Sequence, residues 1–168
     1  MIVIILYMII SFLLDGLISN YTCINIVNPS YLRTIFSVVA LIISFNYFDN
    51  NSKYLKILVV VGILFDIVYT NTFMLNIILF YLIYLIIKYL NVYIPNNIFT
   101  INIKCLLGIF IYHLLSYIIL LLVHYMNYSF SLLLIILTRS IIMTIIYTSI
   151  SYYIVGKIYY KKYDKRIK

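Results

Sequence analysis

Long apolar runs separated by short polar breaks set the organisation of this chain, and the runs have the length of membrane spans. They predict helices at Ile2–Ile18, Leu32–Phe48, Leu55–Tyr69, Thr72–Tyr89, Lys104–Tyr125 and Ser131–Gly156. The breaks carry turn chemistry: Asn28-Pro29-Ser30, Asp49-Asn50-Asn51-Ser52, Asn71, Pro95-Asn96-Asn97 and Asn127. Crossing hydrocarbon takes about 20 apolar residues, within a range of roughly 17–25. The third run is short and meets the fourth at Thr70-Asn71-Thr72, which predicts a tight helical hairpin. The expected fold is therefore an all-α integral membrane protein, a bundle of about six transmembrane helices. It covers residues 1–156, and a basic tail covers residues 157–168. The first run has no basic residue ahead of it and no small-residue cleavage site after it, so it reads as an uncleaved span rather than a signal peptide.

Composition agrees with this class. Apolar residues make up 66% of the chain, a proportion found in membrane proteins rather than soluble ones. At 168 residues, six spans leave no room for a soluble catalytic domain. Ile, Asn, Tyr and Lys are heavily used, Trp is absent and Ala40 is the sole alanine, a bias typical of an AT-rich genome. The 20 tyrosines therefore carry no functional signal by number alone. Tyr47, Phe48, Tyr54, Tyr89, Tyr93, Tyr125 and Tyr128 fall at expected interfaces, where an aromatic belt accounts for them.

Charge then orients the bundle. Lys53 and Lys56 mark the second connection and Lys88 and Lys104 the fourth. Lys157, Lys161, Lys162, Lys165, Arg166 and Lys168 form the tail, whereas Arg33 alone lies near the first connection. The positive-inside rule places both termini in the cytoplasm. The tail reads as an anchor to anionic lipid, at about 1 kcal/mol per basic residue near the surface. Because the net charge of +8 is concentrated there, it does not point to nucleic acid. Cys23 and Cys105 fall on opposite sides in this topology, which argues against a disulfide.

Three charges break the apolar pattern: Asp15, Asp66 and Arg139. An unpaired charge at mid-span costs at least about 2.5–3.5 kcal/mol on insertion scales. At a helical rise of about 1.5 Å per residue, all three fall in the outer part of the bundle, with Arg33 and Asn76 at matching depth. Two readings stand side by side. One is an ion pair fixing helix packing, with Asp66 and Arg139 the expected partners; such pairs specify register more than they stabilise. The other is a polar cluster that faces a ligand or partner. Gly62, Asp66 and Thr70 repeat at every fourth position, forming one stripe on the third helix suited to close approach and cross-helix hydrogen bonding. His113, near the middle of the fifth span, reads as a core histidine rather than part of a proton relay. No metal-ligand spacing, phosphate loop or activated serine is evident, so neither enzyme nor cofactor is expected.

The stretch Gly62-Ile-Leu-Phe-Asp66-Ile-Val-Tyr-Thr70-Asn-Thr-Phe-Met-Leu-Asn76, running on to Phe80 and Ile87-Lys88, resembles the central signature of the rod shape-determining protein MreD family. Leu14-Asp15-Gly16, Pro29, the six-span length and the basic tail fit along the whole chain. The scarcity of Ala and Gly departs from the family and follows the codon bias. The resemblance implies a non-enzymatic component of the peptidoglycan elongation machinery in the bacterial cytoplasmic (inner) membrane. It implies binding to an MreC-like bitopic protein and association with MreB, RodA and a transpeptidase. A similar helical architecture is found in the substrate-binding subunits of energy-coupling factor vitamin transporters, the alternative reading. Those subunits commonly dock through small residues every four positions on the first span, and here Ser11 and Gly16 do not match that spacing.

Overall fold

The computed structural model describes residues 2–21, 35–48, 51–70, 74–122 and 130–167. All regular structure among them is helical: α1 (Ile2–Tyr21), α2 (Phe36–Phe45), α3 (Asn51–Phe65), a π-helical turn (Asp66–Thr70), α4 (Leu75–Tyr93), α5 (Ile98–Leu122) and α6 (Phe130–Ile167). Three helices, α4, α5 and α6, are long and apolar enough to cross a membrane. The apolar stretches Val3–Leu17 and Phe36–Phe45 are shorter.

The centre of the fold is α2. Every residue from Phe36 to Ser44 is buried, and the helix packs against α1, α4, α5 and α6. On the α3 side, the Tyr54 hydroxyl donates to the Leu41 carbonyl at 3.0 Å. The other helices form a ring in the order α1, α6, α5, α4, α3, and Tyr69 closes the ring by donating to the Phe12 carbonyl at 2.6 Å. Helices consecutive in the chain run antiparallel, so α2 runs parallel to α4 and α6. Gly62 of α3 meets Ile77 of α4, while Tyr54 stacks near Tyr84 further along both. On α6, Tyr147 bonds Ser11 of α1, while Gly156 lies by Tyr47 just beyond α2.

Several expected boundaries change; the first helix runs on to Tyr21 and the fourth to Tyr93. The second helix is ten residues, about 15 Å, in place of Leu32–Phe48. It ends in three successive tight turns, with the amides of Asn46, Tyr47 and Phe48 donating three residues back, which terminates the α-helical ladder. The third helix starts at Asn51 rather than Leu55 and widens into the π turn at Asp66. The fifth starts at Ile98, not Lys104. There the Thr100 hydroxyl accepts from the Asn97 amide at 2.9 Å, a third-position side chain reaching back to the cap as in a capping box. The sixth helix runs unbroken to Ile167, so the tail expected at residues 157–168 continues a helix of 38 residues.

The outer faces are apolar. Leu6, Ile9, Ile10, Leu13 and Leu17 on α1 and Ile141, Ile142, Ile145 and Ile146 on α6 are exposed. Contiguous apolar patches on this scale mark a surface meant for an apolar environment or partner. Charge is sorted by end. Lys53, Lys56, Lys88, Lys104 and Lys157 lie toward one end of the bundle, and Asp15 and Asp66 toward the other.

Candidate functional site

Among the described residues, three charged side chains turn inward, and each meets a helix end. The first four amides and last four carbonyls of a helix have no partner within it. Inside an apolar bundle those groups need another acceptor or donor. The residue preceding α2 is Ile35, which has no side chain able to cap. Asp15 supplies the acceptor from α1. Its Oδ1 accepts from the Phe36 amide at 2.7 Å and its Oδ2 from the Ser37 amide at 2.8 Å, with the Ser37 hydroxyl donating to the same oxygen. A carboxylate at a helix N-terminus also opposes the macrodipole, worth up to about 2 kcal/mol when partly buried.

Asp66 plays the same part for α4. The cap residue there is Met74, in the left-handed region at φ 58° and without a side-chain cap bond. Asp66 is 3% exposed, and its Oδ1 accepts from the Asn76 amide at 3.1 Å and from Asn76 Nδ2 at 2.8 Å. Asn76 Nδ2 also donates to the Thr70 hydroxyl at 3.0 Å, and Asn76 Oδ1 accepts from the Tyr112 hydroxyl at 2.7 Å. The Asn76 amide group thus has partners on both its nitrogen and its oxygen, linking the π turn, α4 and α5. Gly62 makes this possible one turn earlier. A Cβ there would lie 3.0 Å from Ile77 Cα and 3.1 Å from Ile77 N, so only glycine lets the first turn of α4 come this close.

The opposite end carries the third inward charge. Lys104, 1% exposed, donates to Asn91 Oδ1 at 2.6 Å, to Asn96 Oδ1 at 2.7 Å and to the Ile94 carbonyl at 3.0 Å. An ammonium has three donors, and all three are used. Ile94 is the C-cap of α4, so the charge sits where the helix dipole is negative. Asn91 Nδ2 donates in turn to Asn46 Oδ1 at 2.8 Å, and Asn46 is the C-cap of α2.

The residues anticipated from the sequence divide accordingly. Gly62, Asp66, Thr70 and Asn76 come together at the α3–α4 corner. Asp15 lies at the same end but serves α2, with Tyr69 between the two acids. Arg33 and Lys168 lie outside the described residues, as does the side chain of Arg139 and with it the expected pair with Asp66. Lys157 is exposed on α6, with its ammonium 5.7 Å from the Tyr153 ring centre. Lys161, Lys162, Lys165 and Arg166 ride on the backbone of the last turns of α6. Lys104 is a correction: read as marking a connection, it is interior. The signal was present, since Asn97-x-x-Thr100 is a helix start that puts Lys104 two turns inside α5. Asn46, Asn91 and Tyr112 were missed, and Tyr112 was hidden among so many tyrosines.

The arrangement supplies partners to the ends of α2 and α4 through Asp15, Asp66 and Lys104. Among the described residues, no group of three or more His, Cys, Asp or Glu is placed to hold a metal. No protein-family model, curated protein or solved structure matches the chain.

Proposed function

We propose that this protein is a non-enzymatic, multi-span scaffold of the bacterial cytoplasmic membrane, acting in cell-wall elongation by binding an MreC-like bitopic protein. The observation that carries this reading is the use of Gly62, Asp66, Thr70 and Asn76 to tie the π-helical turn after α3 to the start of α4. These are also the residues on which the resemblance to the MreD family rests. A signature that holds a shape suits a protein whose activity is to present a surface. Asp66 and Asn76, engaged with each other, are better suited to fixing helices than to turning over a substrate.

The apolar outer faces suit a lipid environment, and the shorter α2 sits inside the bundle rather than against lipid. With Lys53, Lys56, Lys88 and Lys157 toward one end, the positive-inside rule supports a cytoplasmic location for that end and for both termini. The basic last turns of α6 would lie along or above anionic headgroups there. A reporter active only in the cytoplasm, fused after Lys168, should be active, and the same reporter inserted after Asn127 should be silent.

The functional test is depletion combined with co-purification. Loss of the protein should round rod-shaped cells and disperse wall synthesis, and the tagged protein should retain an MreC-like partner in mild detergent. Unchanged cell shape, together with a vitamin bound in stoichiometric amount, would replace this reading with the transporter alternative.

A further inference from the structure

A layer of hydroxyls and one thiol lies between α1, α2, α5 and α6, between the two charged helix-end networks and next to Lys104 on α5. The Tyr7 hydroxyl lies beside Tyr147, Ser151 and Cys105, and the Cys105 thiol lies beside Thr148. Ser44 reaches the same depth. Asp15 of α1 meets Ser37 of α2, and these helices are antiparallel. Two turns back along α1 therefore brings Tyr7 level with Ser44, two turns on along α2. Ser44, Cys105 and Thr148 are each 0% exposed and Ser151 is 4% exposed.

Three of these polar atoms have no hydrogen bond of good geometry to protein: Tyr7 OH, Ser44 Oγ and Thr148 Oγ1. That is unusual, because a serine or threonine in a helix can satisfy itself on the carbonyl one turn back. Ser11 and Thr144 do so, donating to Tyr7 O at 2.8 Å and to Ser140 O at 2.6 Å. Ser44 and Thr148 forgo that bond. Buried polar groups in native proteins find partners, and isolated ones carry a desolvation cost. Three such atoms at one depth, from three helices, call for a shared partner that both donates and accepts. The groups are neutral, which matches water and not a charged solute. A buried water typically makes about three hydrogen bonds to such groups. Two further buried atoms without partners, Asn46 Nδ2 and Asn102 Oδ1, lie about one turn nearer the Lys104 end.

We infer that the layer formed by Tyr7, Ser44, Cys105, Thr148 and Ser151 is an internal hydration site, holding bound water in the core of the bundle. The site is independent of the partner reading above. Its test is the sign of a stability change, because a dry orphan and a hydrated hydroxyl respond oppositely. Ser44→Ala and Thr148→Val remove a hydroxyl with little change of shape. If water bridges these groups, each variant should melt lower by about 2–4 °C, and the double variant should lose less than the sum. Radiolytic labelling gives a direct readout, since bound water generates radicals beside it. Cys105 should be oxidised in the intact wild-type protein in the presence of bulk scavenger, and several-fold less in the double variant. A rise in melting temperature in either single variant would overturn the inference by showing that a dry orphan had been removed. Cys105 labelling that is absent in the wild type, or equal in the double variant, would overturn it independently.

Discussion

Replacing Asp66 separates a helix cap from an ion pair. Its Oδ1 receives both Asn76 hydrogen bonds, at 3.1 and 2.8 Å, and the weaker Thr70 contact at 3.4 Å. Asn in its place keeps one carbonyl oxygen that can stand where Oδ1 stands, so the geometry survives and only the charge is lost. A hydrogen bond to a charged group contributes about 1.5–3 kcal/mol and a neutral one about 0.5–1.5, so Asp66→Asn should cost about 1–2 kcal/mol. Asp66→Ala removes the acceptor altogether and strands two buried donors of Asn76, each at about 1–3 kcal/mol, for a total of about 4 kcal/mol. If a buried ion pair with Arg139 dominated instead, Asp66→Asn would itself cost about 3–5 kcal/mol, because the cation would lose its counter-charge. Unfolding of the purified protein in mixed detergent micelles reads these differences, with Asn76→Ala and the Asp66→Ala/Asn76→Ala double variant included. Contacting residues should couple by about 0.5–3 kcal/mol. Asp66→Asn as damaging as Asp66→Ala, or additive losses at 66 and 76, would refute the capping argument.

Lys104→Met should destabilise the bundle by about 2–3 kcal/mol, the scale of a hydrogen bond to a charged group, because it leaves Asn91, Asn96 and the Ile94 carbonyl short of a donor; unfolding in detergent measures it. An unchanged unfolding midpoint would show the network to be dispensable. Gly62→Ala places a methyl about 3 Å from the Ile77 backbone and should cost about 1–3 kcal/mol by overpacking; Gly156→Ala, whose added methyl would make only ordinary contact with Tyr47 at 3.6 Å, is the matched control in the same melt.

The helical class and the rhythm of apolar runs were legible because a span's length is fixed by hydrocarbon thickness, which leaves a one-dimensional signal. The corner from Gly62 to Asn76 was legible as a packing stripe for the same reason, since a four-residue repeat fixes one face. What each charge does was not legible. Depth along a helix gives a coordinate, and Asp15, Asp66, Arg33 and Arg139 share one, but depth does not say which neighbour each meets. Asp15 finds the amides of Phe36 and Ser37 because α2 starts beside it, and that start was misplaced by several residues. Within the apolar run Leu32–Phe48 lies a helix of ten residues, bounded by the extended Ile35 and by the tight turns at Asn46, Tyr47 and Phe48, which hydropathy does not distinguish from a helix. Lys104 differs for a complementary reason: a lysine near an expected interface is usually a topological marker, and it is the cap at Asn97 and Thr100 that moves it inside α5.

The half-length of α2 accounts for much of the polar chemistry around it. A helix that crosses a bilayer ends where water and headgroups satisfy its terminal amides and carbonyls. At about 15 Å, α2 ends at both sides within the protein, and Phe36 to Ser44 are buried along its whole length. Its N-terminus then needs an acceptor, which Asp15 provides; its C-terminal cap, Asn46, is tied through Asn91 to Lys104. An acid at the start and a base linked to the end are arranged along the helix dipole, each charge stabilised by the terminus it faces. Neither needs a counter-ion of opposite sign at contact distance. This is why two charges at opposite ends of an apolar bundle can both be interior, and why the sequence offers no obvious partner for either. The same logic separates structural from functional charge here. A buried ionisable residue whose hydrogen bonds go to backbone ends or their capping amides is explained by the fold, and Asp15, Asp66 and Lys104 all meet that criterion. The surface for a partner of the kind proposed above is then better sought on the exposed apolar faces of α1 and α6 than at these charges.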